Sequence, residues 1–574
     1  MTAGYFNLVL HTHLPYVLGH GRWPHGTDWL AEAVCECYVP ILRAITELKE
    51  EGIAARATFG VTPVLTEQLA DPRLSGELQF YIKEKREAAR ADVETFVREG
   101  LENRAEVARF WLKFYAETQD WYFDKFGGNL IPHLRNLQND GVIEILTSGA
   151  THGYFPLLGT DNSIQMQLKE AVKSYQKHFG KKPKGTWLPE CAYRPSYRWA
   201  PPVGDGFKTP VLRKGVEEFL QEAGIEYFFI DSHLLKGGQA LGTYIDRFPA
   251  LRFLKEQEEK GTKTIPESEK SPYQPYWVGD VRDKKPVAIF SRDPVTTVLV
   301  WSGEHGYPGD GNYLDFHKKH YPGGLRYWKV TRIKSDLGEK EEYILANVES
   351  RLEENAEHMV SLVTRQLKQH YAANKTPGVL SALYDTELFG HWWFEGPQFL
   401  KKLWKKFSQN TEVALATAGQ ALERSSPTER ISIPEGSWGE GGHHYIWLNK
   451  DTVWTWEKIY QAEKKYLALV KAASADDNLQ RVLTQLGREL LLLESSDWQF
   501  LISTFSARDY AEMRFAEHWE KFNRLSEMAQ SVLNGNKWNE GEKNYLKDCE
   551  ESDRLFSDYS VQSFWPLEFP FRAK

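Results

Sequence analysis

The chain has 574 residues, 41% of them hydrophobic and 26% charged, with a formal net charge of −8 and a pI of about 6.1. That composition is ordinary for a folded globular protein, and the length exceeds the roughly 250–300 residues that one hydrophobic core organises, so two or three domains are expected. The acidic balance argues against a nucleic-acid or anionic-membrane partner, which would require a basic surface; a neutral polymer such as a polysaccharide is not excluded.

The first element is a short apolar run, "YFNLVL" (Tyr5 to Leu10), which passes at once into "HTHLPY". This stretch has no basic segment or small-residue cleavage site and is too short to span a bilayer. It reads as the first strand of a cytoplasmic protein. A helical pattern follows over "DWLAEAVCECYVPILRAITELKEEG" and stops at Gly52. Cys35 and Cys37 lie in it; with Cys191 and Cys549 they are too few and too scattered for a disulfide framework, and buried free thiols are expected.

Further strand-like runs are "ARATFGVT" (55–62), "GVIEILTSGATHGYFPLL" (141–158), "KGTWLPECAY" (184–193), "IEYFFIDSH" (225–233), "PVAIFSRD" (286–293), "VTTVLVWSG" (295–303) and "GVLSALYDTELFG" (378–390). Helical patterns such as "DNSIQMQLKEAVKSYQKHFG" and "VLRKGVEEFLQEAGI" lie between several of them. Short buried strands alternating with helices predict an α/β fold with a parallel sheet or barrel. Each run ends in Gly, Pro, His or an acid, where an α/β barrel places its active site. Residues 1–78 and 141–400 are assigned to this barrel, and the charged, strand-poor stretch 79–140 to a helical insertion. A polar excursion spans 255–275. From 401 to 574 the patterns are helical, apart from "PEGSWGEGGHHYIWLN" (434–449), a Trp/His loop expected to reach the cleft.

The stretch "LYDTELFGHWWFEG" (383–396) crowds acids against aromatic rings. Desolvated carboxylates need partners, whereas a sugar site uses acids for chemistry and rings for stacking. Asp385 ends the strand "VLSALY", and "GTWLPECAYRP" supplies a second strand-end acid, Glu190, whose bland alternative is an ion pair with Arg194 or Arg198. Two such carboxyls can flank a glycosidic bond. Glu387 rivals Asp385 for the acid role. There are 20 Trp, and those beside Gly, Pro, His and Glu in loops (Trp23, Trp187, Trp301, Trp392, Trp393, Trp438, Trp447) are expected to stack on ligand rather than fill the core. The competing reading is a metal site: His11 and His13 at strand spacing, with further ligands from His152, Asp231, His233 or His391. No GxGxxG before a helix, P-loop or GxSxG is present.

"HTHLPY", "GATHGYFPLL", "WLPECAY", "YDTELFGHWWFEG" and "SWGEGGHHYIWLN" resemble, in order, the five signature regions of glycoside hydrolase family 57, and most closely those of its 1,4-α-glucan branching enzymes. The resemblance implies an incomplete (β/α)₇ barrel with a helical insertion and a helical C-terminal domain. It also implies retaining chemistry on α-1,4-glucan (amylose, amylopectin, glycogen) with no metal or other cofactor. The family's nucleophile falls on Glu190 and its acid/base on Asp385, which the rings of Phe389, Trp392 and Trp393 would keep protonated. Its motif histidines fall on His11, His13 and His152, and its groove aromatics on Trp23, Trp301, Trp438 and Trp447, with Trp392 beside them. Tyr244, in "KGGQALGTYIDRF", resembles the tyrosine of a mobile loop in the branching members. Cys191 stands where alanine is common. An amylase or a 4-α-glucanotransferase of the same family is the alternative, and a monomer is expected, a dimer being the other option.

Overall fold

The computed structural model describes residues 2–22, 24–204, 209–237, 268–279, 285–332 and 334–561; Trp23 and Tyr244 lie outside the described residues. Six strands carry the barrel: β1 (Gly4–Thr12), β2 (Ala57–Val61), β3 (Ile143–Leu146), β4 (Tyr227–Ile230), β5 (Val287–Ser291) and β6 (Gly378–Asp385). β1 pairs with β2, β2 with β3, β4 with β5 and β6 with β1, all in parallel. A seventh stave, residues 185–187, is joined by single parallel bridges, Thr147 to Thr186 and Gly185 to Tyr227, and Arg292 bridges Ser381 between β5 and β6. The ring therefore closes in chain order with seven staves.

These strands are nearly continuous apolar runs because both faces are covered, as parallel strands require. β2, β4 and β5 are buried throughout, and β6 at every position but its last, Asp385. The polar residues inside the ring satisfy one another: Asn7 Nδ2 donates to Ser381 Oγ (3.3 Å), and Thr58 Oγ1 donates to Asn7 Oδ1 (3.1 Å).

Two expectations need correction. The run "VTTVLVWSG" is a helix, Pro294–Trp301, not a strand. Its β-branched residues favour a strand, but Asp293 caps it, accepting from Thr296 N (2.6 Å), and Pro294 occupies the first turn. The sheet also does not stop at residue 400. Val413–Leu415 pairs in parallel with β1, and Arg430–Ile431 with Tyr276–Val278 beside β5. Both strands are only two or three residues long and so leave little period-2 signal.

The stretch after β2 forms helices α1 (Arg73–Arg98), α2 (Glu102–Asp120) and α3 (Leu130–Asn139). α2 leans on the barrel: Tyr115 donates to Glu36 Oε1 (3.0 Å), Trp111 Nε1 to the Arg326 carbonyl (2.8 Å), and Glu36 pairs with Arg326 (2.5 Å). Helix α4 (Asp161–Phe179) starts on the Thr160 hydroxyl and ends at Gly180, φ 74°. The C-terminal part comprises α5 (Val453–Lys471), α6 (Asp477–Leu493), α7 (Asp497–Thr504), α8 (Arg508–Leu533) and α9 (Glu540–Ser552). It docks through Tyr460, which donates to the Leu157 carbonyl (2.9 Å), Arg514, which donates to the Tyr16 carbonyl (2.8 Å), and a bridge from Gly153 to Ser495. The four cysteines are buried and free. Among the described residues no helix is long and apolar enough to cross a membrane.

Candidate active site

The chain bends sharply where the seventh stave ends. Glu190 (φ 60°) and Cys191 (φ 48°) are consecutive left-handed residues, each costing about 1–3 kcal/mol unless its surroundings hold it. The hold comes from the Trp/His loop, which pairs with Tyr193 through Gly436 in both directions (2.8 and 3.1 Å). Trp438 then grips Glu190 twice: its backbone N–H donates to the Glu190 carbonyl (3.1 Å) and its indole Nε1–H to Oε2 (2.7 Å). The other oxygen, Oε1, lies 3.8 Å from His152 Nδ1. Arg194 donates instead to the Pro156 carbonyl and Arg198 to that of Pro210, so neither forms the alternative ion pair.

Burial pushes the Glu190 carboxyl up to about 8; the Trp438 indole N–H opposes this, while the negative charges of Asp385 and Asp497 add to it. Two acids far apart in sequence thus stand in one electrostatic field at the barrel mouth. Asp385 is the half-buried last residue of β6, in register with His11 on β1. Glu387, two residues on, accepts from the Tyr38 hydroxyl (2.6 Å) and the His13 backbone N–H (3.3 Å), and burial lifts it also to about 8. Of the rings expected near Asp385, Trp393 packs in the core against Phe399 (4.9 Å) and Phe389 (6.0 Å). Gly390 makes the turn between them at φ 119°, where a Cβ would lie 1.9 Å from the Glu36 carbonyl oxygen.

The three motif histidines form one cluster. His11 Nε2 and His152 Nε2 are 3.1 Å apart, the rings of His13 and His152 stack at 4.0 Å, and His11 stacks on Trp187 at 4.6 Å. Burial, with the neighbouring His13, holds His11 and His152 well below the usual histidine range, so both are neutral. Their outer partners come from a region the sequence reading left out. His13 Nε2 lies 3.0 Å from both oxygens of Asp497, and His152 Nδ1 lies 3.0 Å from Ser496 Oγ. Ser496 and Asp497 begin α7 in "ESSDW", a polar break with Ser and Asp before a helix. That is a capping pattern by itself, and nothing local marks it as part of a distant site.

Among the described residues the HxH pair gathers no set of three ligand-type atoms. His13 is held between Thr62 and Asp497, and His11 and His152 face each other. Asp231 pairs with Arg292 (3.2 Å) and His233, while His391 faces Glu32 at 3.4 Å. Among the described residues, three ligand-type atoms come within 4.8 Å of one another once, at Glu489, His518 and Asp553 in the C-terminal helices. There the Lys521 ammonium and His20 already bind Asp553.

Several loop tryptophans also depart from expectation. Trp447 is fully buried, stacked on Tyr154 at 4.5 Å and against Gly439, so neither face is open to a sugar. Trp187 and Trp393 are likewise core residues. Trp301 and Trp438 meet edge to face at 5.5 Å, with the Arg292 guanidinium 5.7 and 5.5 Å from their rings. They are almost wholly buried and form the wall behind Glu190; Trp392 is half-buried. Loop rings escape periodicity because loops fold over the barrel mouth and bury them against one another, without any helix or strand face.

This fold and site belong to a known class. The family model described as glycosyl hydrolase family 57 matches residues 7–434, and the chain belongs to that family. A second model, 1,4-alpha-glucan branching enzyme, C-terminal, matches residues 458–564. The 1,4-alpha-glucan branching enzyme TK1436 of Thermococcus kodakarensis is 41% identical over 555 residues, 96% of this chain and 77% of its own length. Its crystal structure superposes with a TM-score of 0.89, covering 99% of this chain and 98% of that one at 38% identity. The branching enzyme of Pyrococcus horikoshii gives 0.87 at 38% identity with the same coverage. The α-amylase AmyC of Thermotoga maritima gives 0.79 at 26% identity, covering 98% and 99%.

Proposed function

We propose that the protein is a 1,4-α-glucan branching enzyme of the cytoplasm that cleaves α-1,4 links and rejoins the cut chain in α-1,6 linkage. The observation that carries the reading is the Glu190 carboxyl, clamped by Trp438 within the field of Asp385. Glu190 attacks the anomeric carbon of the donor glucan, displacing the glycosidic oxygen and forming a covalent glycosyl ester; Asp385 protonates that oxygen as it leaves. Asp385 then takes the proton of the acceptor 6-hydroxyl, whose oxygen displaces Glu190. The chemistry requires Glu190 charged and the proton on Asp385, against the burial that lifts Glu190 to about 8. The indole N–H on Glu190 supplies the asymmetry, since a hydrogen bond to a carboxylate favours the charged form. His11, His13 and His152 lie together at this mouth, and His11 and His152, being neutral, do not compete for the charge.

Water in place of the acceptor would make the enzyme an amylase, a reading that the likeness to AmyC favours. The match of residues 458–564 to the branching-enzyme C-terminal model supports the transferase. Incubation with amylose, followed by enzymatic debranching and chain-length analysis, separates the two. New short chains released only on debranching are expected. A rise in reducing ends without branches, or longer linear chains, would overturn the proposal.

A further inference from the structure

His152 has a left-handed backbone (φ 59°), a conformation L residues avoid. Ser496 holds it at both ends: the Ser496 backbone N–H donates to the His152 carbonyl (3.2 Å), and its hydroxyl lies 3.0 Å from Nδ1 of the ring. Both residues are buried. The turn around them is pinned to the same helices, Thr151 donating to the Leu491 carbonyl and Gly153 bridging Ser495.

The contacts allow two proton patterns, set by which ring donates across one short contact. Two neutral imidazoles can share the 3.1 Å Nε2–Nε2 contact only if one donates and the other accepts. His11 Nδ1 has no hydrogen-bond partner and lies beside the Gly60 backbone, so the proposed pattern has a proton on it. With its proton on Nδ1, His11 accepts at Nε2, so His152 donates from Nε2 and carries a lone pair at Nδ1. That buried lone pair needs a donor, and the Ser496 hydroxyl is in place to be one. The same nitrogen is 3.8 Å from Glu190 Oε1.

We propose that Ser496 is a positioning residue for the glucan chemistry: its hydroxyl donates to His152 Nδ1, fixing the tautomers of His152 and His11 and keeping the His152 ring from donating to Glu190. The C-terminal helices thereby set the protonation pattern behind the carboxyl on the barrel. The part concerning Glu190 rests on the reading of that residue as the nucleophile. The charged and titratable groups facing the ring are Glu190, His11 and His13, with Asp497 behind His13.

The test compares the intact enzyme with Ser496→Ala and Ser496→Thr. Nitrogen-15 imidazole shifts of His152 and His11, assigned by single substitutions, should show His152 protonated at Nε2 and His11 at Nδ1. Ser496→Thr should keep this pattern, whereas Ser496→Ala should move the His152 proton to Nδ1. Above the acid limb, glucan cleavage in Ser496→Ala should drop about tenfold, because a hydrogen bond to the carboxylate also weakens it as a nucleophile. The acid limb of its kcat/KM profile should move to lower pH, because a new Nδ1–H favours the Glu190 carboxylate. Wild-type His152 protonated at Nδ1 would overturn the proposal without any variant needing to fold. Unchanged tautomers and an unchanged pH profile in a folded Ser496→Ala would overturn it too. A tautomer switch with cleavage and pH profile unmoved would remove the positioning role. Failure of the nucleophile reading is seen separately, as activity retained by Glu190→Gln.

Discussion

The two acids sit in opposite kinds of backbone. Asp385 ends a regular strand, with φ −70° and ψ 134°, and needs no help to adopt that shape. Glu190 and Cys191 occupy consecutive left-handed positions and depend on Trp438, from more than two hundred residues away, for both main-chain and side-chain anchoring. The contrast fits two tasks. A group that forms and breaks a covalent bond at one carbon gains from a fixed position, while a group that passes protons to and from changing partners needs hydrogen-bond reach and contact with the open cleft.

The largest expected effects test this division. Glu190→Gln should reduce turnover at least about ten-thousandfold while glucan still binds, measured by affinity electrophoresis and reducing-end release; near-normal turnover would remove its role. Asp385→Asn should lose roughly a hundred- to ten-thousandfold. A donor with a fluoride leaving group, which needs no proton, should recover bond cleavage in Asp385→Asn but not in Glu190→Gln. Recovery in both, or in neither, would contradict the assignment. Glu387→Gln, which keeps the Tyr38 contact, should lose less than about tenfold; a loss matching that of Asp385→Asn would give the acid role to Glu387 instead.

What could be read in the sequence follows from the same contrast. The strands were legible because burial on both faces makes them near-continuous apolar runs, and the place of Asp385 because it ends one. Glu190 was legible from the short strand and proline before it. Its grip by Trp438 was not, since a loop contact across 248 residues leaves no local period. The helix Pro294–Trp301 was misread because β-branched composition outweighed its cap, and Trp447 because loop aromatics look alike whether they face ligand or core. Ser496 and Asp497 had only a capping pattern to show; their link to His13 and His152 exists only once the C-terminal helices are docked.

A smaller effect sharpens the account of Glu190. Trp438→Phe keeps most of the ring volume and removes the N–H that favours the carboxylate. The acid limb of kcat/KM should therefore move to higher pH, by on the order of one unit for one lost hydrogen bond to a charged group. Cleavage at neutral pH should fall about tenfold and recover as the pH is raised. A limb that stays in place would show that the indole N–H does not bear on the ionisation of Glu190.

The smallest expected effect concerns the seam behind the site, where Glu463 on α5 and Glu494 at the end of α6 are fully buried. Glu463 accepts from Gly159 N (3.0 Å) and Glu494 from Gln167 Nε2 (2.9 Å). Burial lifts Glu463 to about 8, helped by the charge of Glu494 and opposed by Ser163 and Arg213; burial lifts Glu494 to about 7. Below the ordinary value of 4.5 both folded and unfolded chains hold these protons, and the groups do not affect stability. Between 4.5 and 8 the unfolded chain releases protons that the folded one retains, so stability falls as pH rises. Glu463→Gln mimics the protonated acid at every pH. Its stability should match wild type near pH 5 and exceed it near pH 8 by on the order of 1–3 kcal/mol, seen as a raised melting temperature only at the higher pH. An equal shift at both pH values would point to packing instead. The seam lies directly before Ser496, so a stabilised variant with unaltered glucan cleavage at neutral pH would show that the seam can be strengthened without disturbing the histidines it supports.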